Sequence, residues 1–265
     1  MSCALKRAEE EKVSYWKGRF PVMVVAHRGF SGAPPENTLA AFRKAIEVGS
    51  DMIELDIQLS KDGKIVVIHD ETLERTTNGR GRVADLTFRE LRDLDAGSWF
   101  DAQFSGEKIP TLQEVLELAK GKALVNIEIK NPSHGKYPIA DLAAKVLRMV
   151  RDERMLTRVI FSSFNPASLE YIRNHEPRAW VALLFHRDWN SLTDLPGEKE
   201  YEVLNLRNSY LSKAKIAKIH QEGKRVNVYT VNSEEELEQF VNWGADGLIT
   251  NHPERLIRVL KSRTP

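Results

Sequence analysis

A single cysteine, Cys3, stands in a chain of 265 residues. An intramolecular disulfide is therefore excluded, and so is a zinc site built from several thiolates. Long apolar runs are missing as well. No stretch approaches the about 18 consecutive apolar residues of a membrane-spanning helix. Excess charge of either sign is missing too: 39 basic and 38 acidic residues leave a net charge of +1. No bulk field draws nucleic acid or a membrane surface, so an anionic ligand must be held by local groups. No Gly-x-Gly-x-x-Gly follows the first β-rich run, which argues against an open, doubly wound nucleotide-binding sheet. Residues 1–20 are charged throughout, as in Lys6-Arg7 and Glu9-Glu10-Glu11-Lys12, and carry no apolar signal core. They read as a helical or frayed extension outside the fold, and the expected compartment is the cytoplasm.

Among the features present, the most informative runs from Ile53 to Leu59. Its apolar and polar residues alternate. A period of two marks a strand, with Ile53, Leu55, Ile57 and Leu59 on one face and Glu54, Asp56 and Gln58 on the other. Both faces look enclosed. Two carboxylates side by side repel, and desolvating them is costly. A hard divalent cation bound through oxygen offsets that cost. Taken alone, the stretch also reads as a half-exposed strand with a polar solvent face.

The surrounding pattern is regular. A β-rich run at 22–26 ends in His27-Arg28-Gly29, and a Gly/Pro loop follows. Asn37 is the expected cap of a helix from Thr38 to Val48, which Gly49 stops. After the strand at 51–59, Asp62-Gly63 predicts a hairpin, so 64–68 returns antiparallel and carries His69-Asp70 back beside Glu54 and Asp56. Residues 71–110 are polar and turn-rich, with a helix at 87–94, and read as an insertion. Thr111 caps the next helix. Parallel strands are expected near 22, 51, 123, 158, 179, 202, 225 and 246. Eight βα units predict an α/β protein, a (β/α)8 TIM barrel. The expected organisation is one catalytic barrel over 21–263, including the insertion.

Barrel sites lie at the C-terminal ends of the strands. His27, Arg28, Glu54, Asp56, Glu128 and Lys130 fall at or near such ends, and His69 reaches the same rim through the hairpin. Glu54, Asp56 and Glu128 supply only oxygen, which favours Mg2+ or Ca2+ over zinc. The plainer alternative pairs each acid with Arg or Lys. Arg28 and Lys130 are fixed positive charges suited to a phosphate, and they also neutralise the acids. His27 and His69 exchange protons near neutral pH and form the natural acid–base pair. Tyr229, Trp189, Trp243, Phe30 and Phe185 are candidates for a pocket wall. Tyr229 is the best placed, whereas Trp243 falls at helical spacing with Leu237 and Phe240 and reads as core. His134, His175, His186, His220 and His252 read as surface or structural residues.

One group of motifs is more specific than any of its parts. It comprises His27-Arg28-Gly29, Pro35-Glu36-Asn37-Thr38, Ile53-Glu54-Leu55-Asp56, Lys61-Asp62-Gly63, His69-Asp70, Arg75-Thr76-Thr77-Asn78-Gly79 and Asn126-Ile127-Glu128-Ile129-Lys130. It continues through Ser162-Ser163-Phe164, Thr230-Val231-Asn232 and Gly247-Leu248-Ile249-Thr250-Asn251. With these, the chain resembles the glycerophosphodiester phosphodiesterases over roughly residues 22–260. The resemblance implies a barrel related to that of phosphatidylinositol-specific phospholipases C. It implies a metal on Glu54, Asp56 and Glu128, acid–base catalysis by His27 and His69, and phosphate held by Arg28 and Lys130. The implied reaction is metal-dependent hydrolysis of deacylated phospholipids, such as glycerophosphocholine or glycerophosphoethanolamine, to sn-glycerol 3-phosphate and an alcohol. The glycerol 2-hydroxyl would attack first, through a 1,2-cyclic phosphate. Related proteins often carry Trp where this chain has Tyr229, which adds a hydroxyl to the wall. Two other functions remain open at this level: lysophospholipase D-like hydrolysis of lysophospholipids, and a non-catalytic barrel that binds glycerophosphodiesters. The expected partner is the small-molecule diester. Nucleic acid and stable membrane insertion are not expected, and a homodimer is compatible with the sequence.

Overall fold

The computed structural model describes residues 18–131, 139–195 and 201–263. Most of the expected N-terminal extension, and His134, lie outside these residues. Eight parallel strands close a barrel. They are β1 (Met23–Ala26), β2 (Met52–Leu59), β4 (Leu124–Ile129), β5 (Val159–Ser163), β6 (Trp180–Phe185), β7 (Val203–Arg207), β8 (Arg225–Tyr229) and β9 (Gly247–Thr250). Pairing of β1 with both β2 and β9 closes the ring. The remaining strand, β3 (Ile65–Val67), runs antiparallel to β2, with Ile57 opposite Val67 and Leu59 opposite Ile65. This is the expected (β/α)8 barrel with its hairpin. Around it lie α1 (Leu39–Val48), α3 (Leu112–Ala119), α4 (Ile139–Asp152), α5 (Pro166–His175), α6 (Lys213–Gln221), α7 (Glu234–Trp243) and α8 (Pro253–Lys261), while α2 (Phe88–Asp93) belongs to the insertion. Among the described residues no helix is long and apolar enough to cross a membrane.

The alternation in β2 explains how the barrel divides its side chains. Ile53, Leu55, Ile57 and Leu59 join the main core beneath the helices. The opposite face points inward, where Met52 packs with Met23, Val25, Ile160, Trp180, Ala182, Val203 and Ile249. Farther along the same inward face come Glu54, Asp56 and Gln58, all buried. One end of the barrel interior is therefore apolar and the other polar. Gln58 spends its amide on the hairpin return: Nε2 donates to the carbonyls of Ile68 (3.1 Å), His69 (3.1 Å) and Asp70 (2.7 Å). These bonds hold His69 at the rim.

Two local features depart from, or refine, the sequence reading. Thr38, not Asn37, caps α1, with Oγ1 accepting from the Ala41 N–H. Asn37 instead adopts a left-handed backbone (φ 58°) and sends its side chain into the site. The loop after β1 is tight. Arg28 and Gly29 both have positive φ, 54° and 79°, and a Cβ at residue 29 would lie 2.6 Å from the Ala41 carbonyl carbon. Only glycine lets α1 approach this loop so closely.

The insertion has its own small core. Leu73, Val83, Leu91, Ala96 and Ile109 pack with Val66 and Ile68 of the hairpin return. Thr87 and Glu90 form a reciprocal capping box on α2, the expected helix at 87–94. Thr111 and Glu114 do the same for α3.

Candidate functional site

Strand register sets the acids side by side. Glu54 pairs with Asn126, Asp56 with Glu128, and Glu128 with Ser162. One carboxylate oxygen from each of Glu54, Asp56 and Glu128 lies within 4.8 Å of the other two. Burial pushes Glu54 well above the usual carboxylate range, and repulsion from Asp56 and Glu128 adds to it. Burial also raises Glu128, with Lys130 opposing. Asp56 behaves otherwise: burial would raise it, but Lys130, Arg28 and His69 hold it low.

The two cations lie among these acids. Lys130 Nζ donates to Glu128 Oε1 at 2.6 Å and lies 3.2 Å from Asp56 Oδ1. Arg28 reaches Asp56 with Nε at 3.3 Å and Glu36 with Nη1 at 2.6 Å, while its backbone N–H donates to Glu54 Oε2 at 2.9 Å. Asn37 Nδ2 donates to Asp56 Oδ2 at 2.8 Å. Asp56 Oδ1 nevertheless remains buried with no donor properly aimed at it. A buried anionic oxygen without a hydrogen bond, in an all-oxygen cluster of three carboxylates, fits a hard divalent cation. The cluster could bind such an ion.

Each histidine at the rim is fixed through Nδ1. His27 Nδ1 donates to Asn251 Oδ1 at 2.7 Å, and His69 Nδ1 donates to Asp70 Oδ1 at 2.6 Å. Both Nε2 atoms are thereby left for other work. Burial, together with the charge of Arg28, pulls His27 down to about 4, against the Asn251 bond. Burial also lowers His69, although Asp56 and Asp70 resist. Behind His69 runs a chain of charges. Arg75 Nε and Nη2 donate to Asp70 at 2.5 and 3.1 Å, and its Nη1 and Nη2 donate to Glu36 at 2.8 Å each. Glu36 in turn holds Arg28. The insertion thus braces both His69 at the rim and the first loop.

These groups share one cavity of about 550 Å3. His27, Arg28, Glu54, His69, Asn126, Glu128 and Lys130 line it on one side, and Phe164, His186, Arg207 and Tyr229 on the other. Asp56 lies beneath the lining, in contact with Arg28 and Lys130. The structure therefore brings together the expected acids, cations and rim histidines.

The expected pocket wall needs correction. Tyr229 lines the cavity, but Trp189 and Phe30 are buried in the main core, and Trp243 packs edge-on against Phe240 with centroids 5.1 Å apart. Phe185 packs against the core and contributes only its carbonyl, which accepts from the Tyr229 hydroxyl at 2.9 Å. That bond consumes the hydroxyl, so Tyr229 walls the cavity with its ring. His186, read as surface or structural, is a lining residue whose ring meets Phe164 edge-on at 5.1 Å. His175, His220 and His252 engage Tyr171, Asp246 and Glu254 instead. Glu36, Asp70, Arg75 and Asn251 had no role assigned from sequence. All four lie inside the quoted motifs, and that clustering of polar residues was the available signal.

Comparison with known proteins gives a consistent result. The family model described as "Glycerophosphoryl diester phosphodiesterase family" matches residues 27–255. A glycerophosphodiester phosphodiesterase of Caldanaerobacter subterraneus subsp. tengcongensis is 40% identical over 246 residues, covering 90% of this chain and 98% of that protein. A glycerophosphodiester phosphodiesterase of Bacillus subtilis is 35% identical over 265 aligned residues, covering 91% and 87%. Among solved structures, an Oleispira antarctica phosphodiesterase in complex with the product sn-glycerol-3-phosphate superimposes with a TM-score of 0.84. It is 27% identical, over 94% of this chain and 99% of that one.

Proposed function

This chain belongs to the glycerophosphoryl diester phosphodiesterase family, and from that premise we propose that it hydrolyses glycerophosphodiesters to sn-glycerol 3-phosphate and an alcohol. One observation carries the reading. Three buried carboxylates, two cations and two oriented imidazoles converge on a single cavity in this family's barrel. The relative in complex with sn-glycerol-3-phosphate supports the same product here.

Glu54, Asp56 and Glu128 would hold Mg2+ or Ca2+. When bound, the cation supplies positive charge that lowers the pKa of a nearby hydroxyl and neutralises phosphate. Arg28, with a planar fork, and Lys130, with a point charge, would orient the phosphate oxygens. His27 and His69 present Nε2 and move the protons. One takes the proton of the glycerol 2-hydroxyl as that oxygen bonds to phosphorus. The other protonates the departing alcohol oxygen as its bond to phosphorus breaks. The product of this step is the 1,2-cyclic phosphate. Water then opens the ring with the two roles reversed. Proximity favours this route, because a vicinal hydroxyl beside its own phosphate reaches effective molarities on the order of 10⁵ M or more.

The test is one panel. Release of choline is followed from glycerophosphocholine, where sn-glycerol 3-phosphate is the co-product, from its analogue lacking the 2-hydroxyl, and from lysophosphatidylcholine, each with Mg2+ or Ca2+ and with excess chelator. Ion-dependent turnover of glycerophosphocholine is expected, with the analogue inhibiting competitively but hardly reacting. Full turnover in chelator overturns the metal assignment. Turnover of the analogue within about tenfold of glycerophosphocholine, far from the loss of such an effective molarity, overturns the neighbouring-hydroxyl route. Preference for the lysophospholipid overturns the substrate class.

A further inference from the structure

The two walls of the cavity differ in charge. In the strand order β1-β2-β4-β5-β6-β7-β8-β9, the middle of the ring places β7 directly across from β2. The acids and the phosphate-facing cations belong to β1, β2, β4 and their loops. The far wall is built by Phe164 after β5, His186 after β6, Arg207 at the end of β7, and Tyr229 at the end of β8. Among the described residues lining that wall none is a carboxylate, and Arg207 is the one with a fixed charge.

Arg207 is also without a side-chain partner among the described residues. Its side chain is exposed at the mouth, does not cap the turn that follows, and makes no ion pair among the described residues. Glu236, in the helix after β8, is engaged elsewhere: its Oε1 accepts from Asn208 Nδ2 at 3.1 Å. Arg207 stands opposite Tyr229 in the strand register, and its charge pulls the phenol down against the upward push of burial and of Glu128. The Tyr229 hydroxyl donates to Phe185, so it does not compete with Arg207 for an anion. A guanidinium left unpaired inside a ligand cavity is positioned for a bidentate acceptor.

Resting on the phosphodiesterase reading of the same cavity, we propose that Arg207 selects glycerophosphodiesters whose alcohol carries its own anion, a carboxylate above all. The diester phosphate would sit on the β1–β4 side, and the head group would extend across the mouth toward β7. The rings of Phe164 and Tyr229, 6.3 Å apart and edge-on, would suit a quaternary ammonium if they stood alone. The adjacent guanidinium repels that cation and favours the anionic alternative.

Glycerophosphoserine and glycerophosphoethanolamine form a matched pair that differs by one carboxylate. The measurement is kcat/KM for both, with glycerophosphocholine alongside, in the wild-type protein and in Arg207→Gln. The wild type is expected to prefer glycerophosphoserine over glycerophosphoethanolamine by at least about fivefold, within the range of a partly exposed charge-assisted pair. The preference should weaken with added salt. In Arg207→Gln the ratio should fall toward one. A ratio near one in the wild type, a preference for glycerophosphocholine, or a ratio unchanged by the substitution overturns the inference and leaves the phosphodiesterase reading standing. Failure of the wild type to split any of the three overturns that reading, and the inference with it.

Discussion

At the scale of single residues, the site depends on what holds each imidazole. His27 leans on a neutral amide and His69 on a carboxylate that is itself clamped by Arg75. Removing a positioned acid or base commonly lowers rate by 10²–10⁴. Losses on that order are expected for His27→Ala and His69→Ala, with melting temperatures close to wild type. Near-normal turnover in either variant removes that residue from the reaction. The clamp has its own signature in acid. Burial pushes Asp70 up, but Arg75 and His69 outweigh it and bring the carboxyl from 3.8 down to about 2. Glu36 is lowered by the same arginine, again against burial. A carboxylate depressed on folding adds stability above its unfolded pKa and loses it as pH falls through the folded one. Between pH 5 and pH 2 the wild type should therefore lose more stability in urea than Arg75→Gln does. Equal losses would show that the clamp contributes nothing to folding.

At the scale of elements, the hairpin and the insertion behave as one unit. Gln58 ties the return strand to β2, and the small core around Leu73 ties the insertion to the return strand. Leu73 is fully buried there. Leu73→Ala removes that packing and should cost roughly 2–5 kcal/mol, read from chemical denaturation. It should also speed proteolysis within 71–110, because the cut region opens when its core is hollowed. Unchanged stability would mean that the insertion is not packed as described. These elements also separate what was legible in the sequence from what was not. The alternation of β2, the Asp62-Gly63 turn and the repeated βα units are local patterns, so the barrel and the hairpin could be read directly. The choice between Asn37 and Thr38 as helix cap could not, because both suit an N-cap. Asp56, 19 residues farther along the chain, claims the Asn37 side chain. His186 and Arg207 escaped for a related reason: their roles depend on which strands face each other across a closed ring.

At the scale of the whole molecule, the acidic cluster is a cost built into the barrel. Glu54 and Glu128 are held where burial and mutual repulsion oppose ionisation, and Lys130 and Arg28 relieve only part of that. An ion bound by the folded barrel, and not by the unfolded chain, stabilises it by mass action. The gain is about 2.7 kcal/mol when free ion reaches a hundred times its Kd. For a domain of this size that corresponds to a rise in melting temperature of roughly 5–10 °C. The expected result is such a rise on adding Mg2+ or Ca2+ to chelator-treated protein, with no comparable rise from a monovalent salt at equal ionic strength. Glu54→Gln separates the cluster from surface binding. It removes one ligand charge and one buried, repelled carboxylate together, so the ion-free variant should melt no lower than the ion-free wild type. Its ion-induced rise should shrink to less than about half, since one of three charged ligands is gone. An equal rise in both proteins would place the ion somewhere other than Glu54, Asp56 and Glu128. A clear fall in the melting temperature of the ion-free variant would show instead that Glu54 is held chiefly by the Arg28 backbone N–H, and that the cluster is stable without a cation.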